Sequence, residues 1–199
     1  LAAEQGELMS STPLTLAETA SVFSEMLTFN AILSAEKSEQ AKRFMLADKI
    51  EDMLNTVVRQ VAFHNFENLV HTHRRDGELS SEQISQFWVE TQKQALGPSI
   101  RIDDSFKPIW AYVPHFVHSP FYVYAYAFGD CLVNALWQVY QDGSDLEFNT
   151  HYKTLLRSGG TVRFDSALAP FSLNPSAPEF WNKGLDMISS MIDQVEDLQ

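Results

Sequence analysis

The sequence predicts an all-α fold, an irregular multi-helix domain, and three observations predict it. Apolar residues recur at helical spacing over long stretches, cap and breaker residues fall at the ends of those stretches, and no alternating strand pattern of convincing length occurs. Ile100-Arg101-Ile102 is at most a short extended piece. The chain has 199 residues, 45% of them hydrophobic and 12% aromatic, which is enough to bury a sizeable core as one domain and leaves no case for disorder. The unequal helix lengths and a Pro-rich middle argue against an up-down bundle or a repeat array.

The first helix is signposted by Thr12 as N-cap and Pro13 in the first turn, and its pattern runs to about Ser34. A longer helix follows from about Ser38 to Arg75, carrying Phe44, Ile50, Met53, Val57 and Val61 on its apolar positions and stopping before Asp76-Gly77. Ser80 with Gln83 reads as a capping box that launches a helix to about Leu96, where Gly97-Pro98 ends it. Pro98, Pro108, Pro114 and Pro120 then punctuate a loop or short helices around Trp110 and Tyr112. A helix is expected from about Pro120 to Gln141, another from about Asp145 to Arg157, a short one after Thr161 and a last one from about Pro178 to Asp197.

The formal net charge of −12, with Arg74-Arg75 as the only basic cluster, excludes nucleic acid as a natural partner. Cys131 is alone, so no intramolecular disulfide can form, and a reducing, cytoplasmic setting is expected. Nothing resembles a signal peptide, and the aromatic stretch from Phe116 to Phe128 is broken by His118 and Pro120, so no membrane span is expected. A start at Leu1 rather than Met suggests a processed product or a piece of a longer protein.

Glu18 and Glu25 lie seven residues apart in a helical segment that holds no basic residue. Almost two turns put both carboxylates on one face, and each needs a partner from elsewhere, because an ionised acid taken from water without compensation is costly. Two salt bridges to another helix would serve. So would a metal, with Glu18 binding the cation and Glu25 accepting the second ring N–H of a ligand histidine. His64, Glu67 and His71 share a face of the long helix and form a second candidate, either for a metal or for ordinary helix-packing hydrogen bonds. The third is His115, followed by Tyr122, Tyr124 and Tyr126. With a helix starting after Pro120, Tyr122 and Tyr126 share a face, and their phenols could either support a developing oxyanion or pack as core aromatics. Cys131 among Leu132, Val133 and Ala135 reads as an inert buried thiol. No Gly-x-Ser-x-Gly elbow or phosphate-binding glycine loop is present.

Leu16-Ala17-Glu18-Thr19-Ala20-Ser21-Val22-Phe23-Ser24-Glu25, then Pro114-His115-Phe116 with Pro120-Phe121-Tyr122-Val123-Tyr124-Ala125-Tyr126-Ala127-Phe128-Gly129, and finally Phe180-Trp181-Asn182-Lys183-Gly184-Leu185-Asp186, resemble the oligoendopeptidase F branch of the thimet-oligopeptidase family of zinc metallopeptidases. The resemblance spans nearly the whole chain. It implies a helical fold with a deep channel, part of a larger helical zinc peptidase, and hydrolysis of short peptides at internal bonds by one zinc ion. By position, Glu18 would be the third zinc ligand and Glu25 the acid that orients a ligand histidine. His115, Tyr122 and Tyr126 would hydrogen-bond the substrate and the tetrahedral intermediate, with Tyr124 as the alternative in that register.

The family's His-Glu-x-x-His motif, which supplies two zinc ligands and the general base, does not occur in these residues. The expectation is therefore that residues 1–199 are the C-terminal portion of the peptidase catalytic domain, inactive and without zinc when alone, with self-association through apolar surface around Val22, Phe23 and Phe29. The competing reading is a stand-alone helical binding or scaffold protein that docks a partner through its acidic face.

Overall fold

The computed structural model describes residues 1–198, and among the described residues every regular element is helical. The α-helices are α1 (Thr19–Ala35), α2 (Glu39–His73), α3 (Ser81–Leu96), α4 (His115–His118), α5 (Tyr124–Asp142), α6 (Phe148–Arg157), α7 (Phe164–Leu168) and α8 (Pro178–Asp197). Short 3₁₀ turns join them, the longest over Asp104–Tyr112 around Pro108. The chain divides into two compact units, one made of Leu1–Met53 and the chain from Phe128 onward, the other of Leu54–Ala127.

The first unit is built on aromatic packing. Phe23 of α1 is buried, with its ring 4.7 Å from Tyr152, 5.7 Å from Phe148 and 5.9 Å from Trp137. Leu132 and Leu136 of α5, the helix that carries Trp137, are fully buried, and α8 closes on α5 where Gly184 meets Cys131: a Cβ on Gly184 would lie 3.1 Å from the Cys131 Cα. A second close approach needs glycine outright. Gly159 has φ of 52°, and a Cβ there would stand 2.1 Å from the Met9 carbonyl oxygen, which Gly160 N–H engages at 2.8 Å. Burial of Phe23 removes it from the exposed surface expected around Val22, Phe23 and Phe29; the large apolar side chains exposed on α1 are Leu27 and Ile32.

The second unit centres on Trp88, fully buried on α3. Phe63 and Phe66 of α2 approach its ring at 5.2 and 5.3 Å, and Phe106 stacks on it at 5.6 Å. The indole N–H donates to the Phe106 carbonyl at 3.1 Å, so the one polar atom of the ring is satisfied and the 3₁₀ segment is tied to α3. Trp110 adds a second tie through Ser85 Oγ. The capping box at Ser80 and Gln83 forms in both directions.

Three helix starts differ from expectation. Pro13 opens only a 3₁₀ turn over Leu14–Leu16, which buries Leu16, and the α-helical ladder begins when the Glu18 carbonyl accepts from Val22 N–H at 3.0 Å. Glu18 is thus the N-cap residue of α1 rather than an interior one. Pro120 does not start α5, because Phe121 adopts φ of 60°, which no right-handed helix contains; the helix begins at Tyr124. α6 begins at Phe148 because Asp145 is spent on local bonds, accepting from Glu147 N–H at 2.9 Å and pairing with His151 at 2.7 Å.

Candidate active site

In the first unit, Glu18 sits half-buried at the N-terminal end of α1, where free N–H groups and the helix dipole favour a negative charge. Ser21 Oγ is 3.2 Å from Glu18 Oε2 and donates to its carbonyl at 3.0 Å. Gly129 of α5 lies directly against it: a Cβ built on Gly129 would be 3.5 Å from the Glu18 Cβ. Glu25, further along α1, has a different neighbour. Its Oε1 pairs with the Lys49 ammonium of α2, whose side chain is only 8% exposed against 59% for Glu25.

Lys49 also faces Asp130, the residue after Gly129. Burial pushes the Asp130 carboxyl up to about 6, against the opposing pull of Lys49 and of the Asn134 amide, which donates to Oδ2 at 3.1 Å; the Glu25 charge adds to the upward push. Lys49 and Asp130 were not singled out from sequence, since Lys49 lies 24 residues from Glu25 and only the packing of α2 against α1 brings them together. Cys131, next along α5, has its thiol pushed up to about 12 by burial and by the Asp130 charge, which leaves it protonated and unreactive.

In the second unit the structure brings His115, Tyr122 and Tyr126 together. His115 Nε2 and the Tyr126 hydroxyl share a hydrogen bond of 3.2 Å, and the His115 ring lies 5.7 Å from Tyr122, which lies 5.4 Å from Tyr126. Tyr122 joins from the turn ahead of α5, not from the helix, yet it meets Tyr126 as helical spacing would require. Tyr124 turns the other way, its ring 5.8 Å from His64. An imidazole and two phenols in this arrangement offer polar hydrogens to a polarised carbonyl oxygen.

The group on α2 comes apart. Glu67 is 2% exposed and accepts from Phe121 N–H at 2.8 Å, His71 lies with its ring 4.7 Å from Phe121, and His64 pairs with the Asn68 amide at 2.9 Å. Among the described residues no three His, Cys, Asp or Glu side chains gather where one metal ion could be held.

Residues 2–187 match the profile of peptidase family M3. The chain belongs to that family. Among its relatives, Oligopeptidase PepF of Bacillus subtilis is 28% identical over 92% of this chain and 27% of its own length. The Oligoendopeptidase F homolog of Borreliella burgdorferi is 26% identical over 75% of the chain and 25% of its length. The crystal structure of a peptidase from Chlamydophila abortus superposes with a TM-score of 0.85 at 28% identity, over 96% of this chain and 32% of that one. Oligoendopeptidase-F from Enterococcus faecium shares the fold, with a TM-score of 0.82. This M3 chain therefore spans between 25% and 36% of the length of these relatives. No helix among the described residues is long and apolar enough to cross a membrane.

Proposed function

We propose that this M3 chain is the C-terminal portion of the catalytic domain of a cytoplasmic zinc oligoendopeptidase, which hydrolyses internal bonds of short peptides. The observation that carries the reading is the meeting of His115, Tyr122 and Tyr126 in a chain of this family. Glu18 suits a zinc ligand in that it is a half-buried carboxylate at a helix N-terminus, with Ser21 Oγ 3.2 Å from its Oε2. It is one donor, and the described residues supply no set of three, so the remaining ligands and the general base belong to a His-Glu-x-x-His portion outside these residues. Zinc, when bound, would supply an activated water and a Lewis acid.

Other residues of the chain take further roles in the proposed reaction. Glu25 Oε1 accepts from the Lys49 ammonium, and Oε2 would accept the second ring N–H of a ligand histidine, which would fix the tautomer and orientation of that ring. His115, Tyr122 and Tyr126 donate hydrogen bonds to the scissile carbonyl oxygen, and those bonds strengthen as negative charge develops there. The Tyr126–His115 bond, which uses one of these hydrogens, holds the imidazole in place before substrate arrives and would be exchanged for a bond to the carbonyl oxygen.

The test is Glu18→Gln in the complete peptidase. The amide keeps the shape and loses the charge, so bound zinc and peptide hydrolysis should fall together by at least 100-fold, beyond the 10–100-fold typical of groups that only support a ligand. Zinc content and rate both at the wild-type level would remove Glu18 from the metal site.

A further inference from the structure

The segment that carries Tyr122 is a turn with an unusual occupant. Tyr122 N–H bonds to the Ser119 carbonyl at 3.1 Å, which closes a four-residue turn with Pro120 and Phe121 at its centre. Phe121 has φ of 60° and the proline ring holds Pro120 near −65°; of the common turns only type II combines those signs. Type II turns place Gly or Asn at that third position, because a Cβ there is strained. Here the position holds Phe, 37% exposed, so its own packing does not explain the conformation.

What lies beneath the turn does. Val123, 1% exposed, drops into the cluster with Phe63, Phe66 and Trp88. One turn further along α2, the buried carboxylate of Glu67 accepts from Phe121 N–H at 2.8 Å over a separation of 54 residues, and His71, on the same helix face, sets its ring 4.7 Å from that of Phe121. Glu67 Oε2 is buried with no hydrogen-bond partner among the described residues, so the amide of Phe121 is the contact for which this acid is held out of water. A charge-assisted bond to a backbone N–H is among the stronger hydrogen bonds available, and it acts on the strained residue itself.

The geometry points to Glu67 as a positioning residue: its carboxylate clamps the Phe121 amide, holds Phe121 in the left-handed conformation, and thereby sets Tyr122 against His115 and Tyr126. This rests on the peptidase reading above for its consequence in catalysis, while the clamp itself does not. Glu67 touches no substrate; it acts through the turn.

The experiment uses four variants of the complete peptidase, assayed on an internally quenched peptide, with melting curves for each. Tyr122→Phe calibrates the reading itself and should lower kcat by about 10²-fold or more, as loss of an oxyanion donor does. Glu67→Ala should lower kcat by about 10-fold or more with KM near wild type, the pattern of a misplaced transition-state contact. Phe121→Gly alone should stay within about threefold of wild type, because Gly accepts this φ freely. In the Glu67→Ala background Phe121→Gly should recover most of the lost kcat, since the turn no longer needs a clamp.

A folded Glu67→Ala enzyme with wild-type kcat, or one whose loss Phe121→Gly does not recover, overturns the clamp. Tyr122→Phe at full activity overturns the assignment of Tyr122 instead, whatever Glu67 does. Hydrogen exchange of wild type, resolved to the Ser119–Val123 segment, decides the clamp even if Glu67→Ala does not fold: protection of the Phe121 amide is expected, and exchange at the rate of an open turn refutes it.

Discussion

Asp130 shows how one side chain can carry a pH dependence of its own. Burial, which outweighs the attraction of Lys49, pushes its carboxyl up to about 6 from the ordinary aspartate value of about 3.8. Between those values the folded state binds the extra proton, so the contribution of Asp130 to stability is greatest below pH 4, declines as pH rises to 6, and is level above. The displacement amounts to at most about 3 kcal/mol. Asp130→Asn keeps the shape and removes the titration, and Lys49 retains Glu25 as its partner. Denaturant melts from pH 4 to 7.5 should show wild type losing stability relative to the variant between pH 4 and about 6, with a constant difference from there to pH 7.5. Parallel curves would mean that Asp130 titrates as an ordinary surface acid.

At the scale of the element, what could be read in the sequence is what is decided locally. The Ser80–Gln83 box spans four residues, both bonds form, and α3 starts and stops where its cap and Gly97-Pro98 put it. Ser80→Ala should lower stability by about 1 kcal/mol, measured as a shift in denaturant midpoint at constant slope, because one N-terminal N–H of α3 loses its acceptor. An unchanged midpoint would show that water replaces the cap without cost. The α1 and α5 starts depart from the sequence expectation for the opposite reason. Leu16 draws the first turn into the core and delays α1 to Thr19, which moves Glu18 from a helix interior to its cap. Glu67 draws Phe121 into a conformation that its side chain would not choose, which delays α5 to Tyr124. Both causes are tertiary. The spacing of His115, Tyr122 and Tyr126 still pointed to one group, whereas the partners of Glu25 and Glu67 lie 24 and 54 residues away and leave no local signal.

For the molecule as a whole, the proposed zinc reading turns on what these 199 residues can bind by themselves. A catalytic zinc centre takes three protein donors and an open position for water. Glu18 is one carboxylate, Glu25 Oε1 accepts from Lys49, His64 pairs with Asn68, His71 packs on Phe121 and His73 bonds the Leu69 carbonyl. With a net charge of −12, the chain attracts any divalent cation diffusely, and salt screens such attraction within about 10 Å at 0.1 M. Zinc titrated calorimetrically into the 199-residue chain at that salt should therefore give no stoichiometric step, and Glu18→Gln should trace the same curve as wild type. The complete peptidase should bind one zinc and lose it with Glu18→Gln. A one-to-one step in the 199-residue chain that Glu18→Gln abolishes would mean that these residues assemble a whole site by themselves, and the ligands assigned to the His-Glu-x-x-His portion would have to be found here instead.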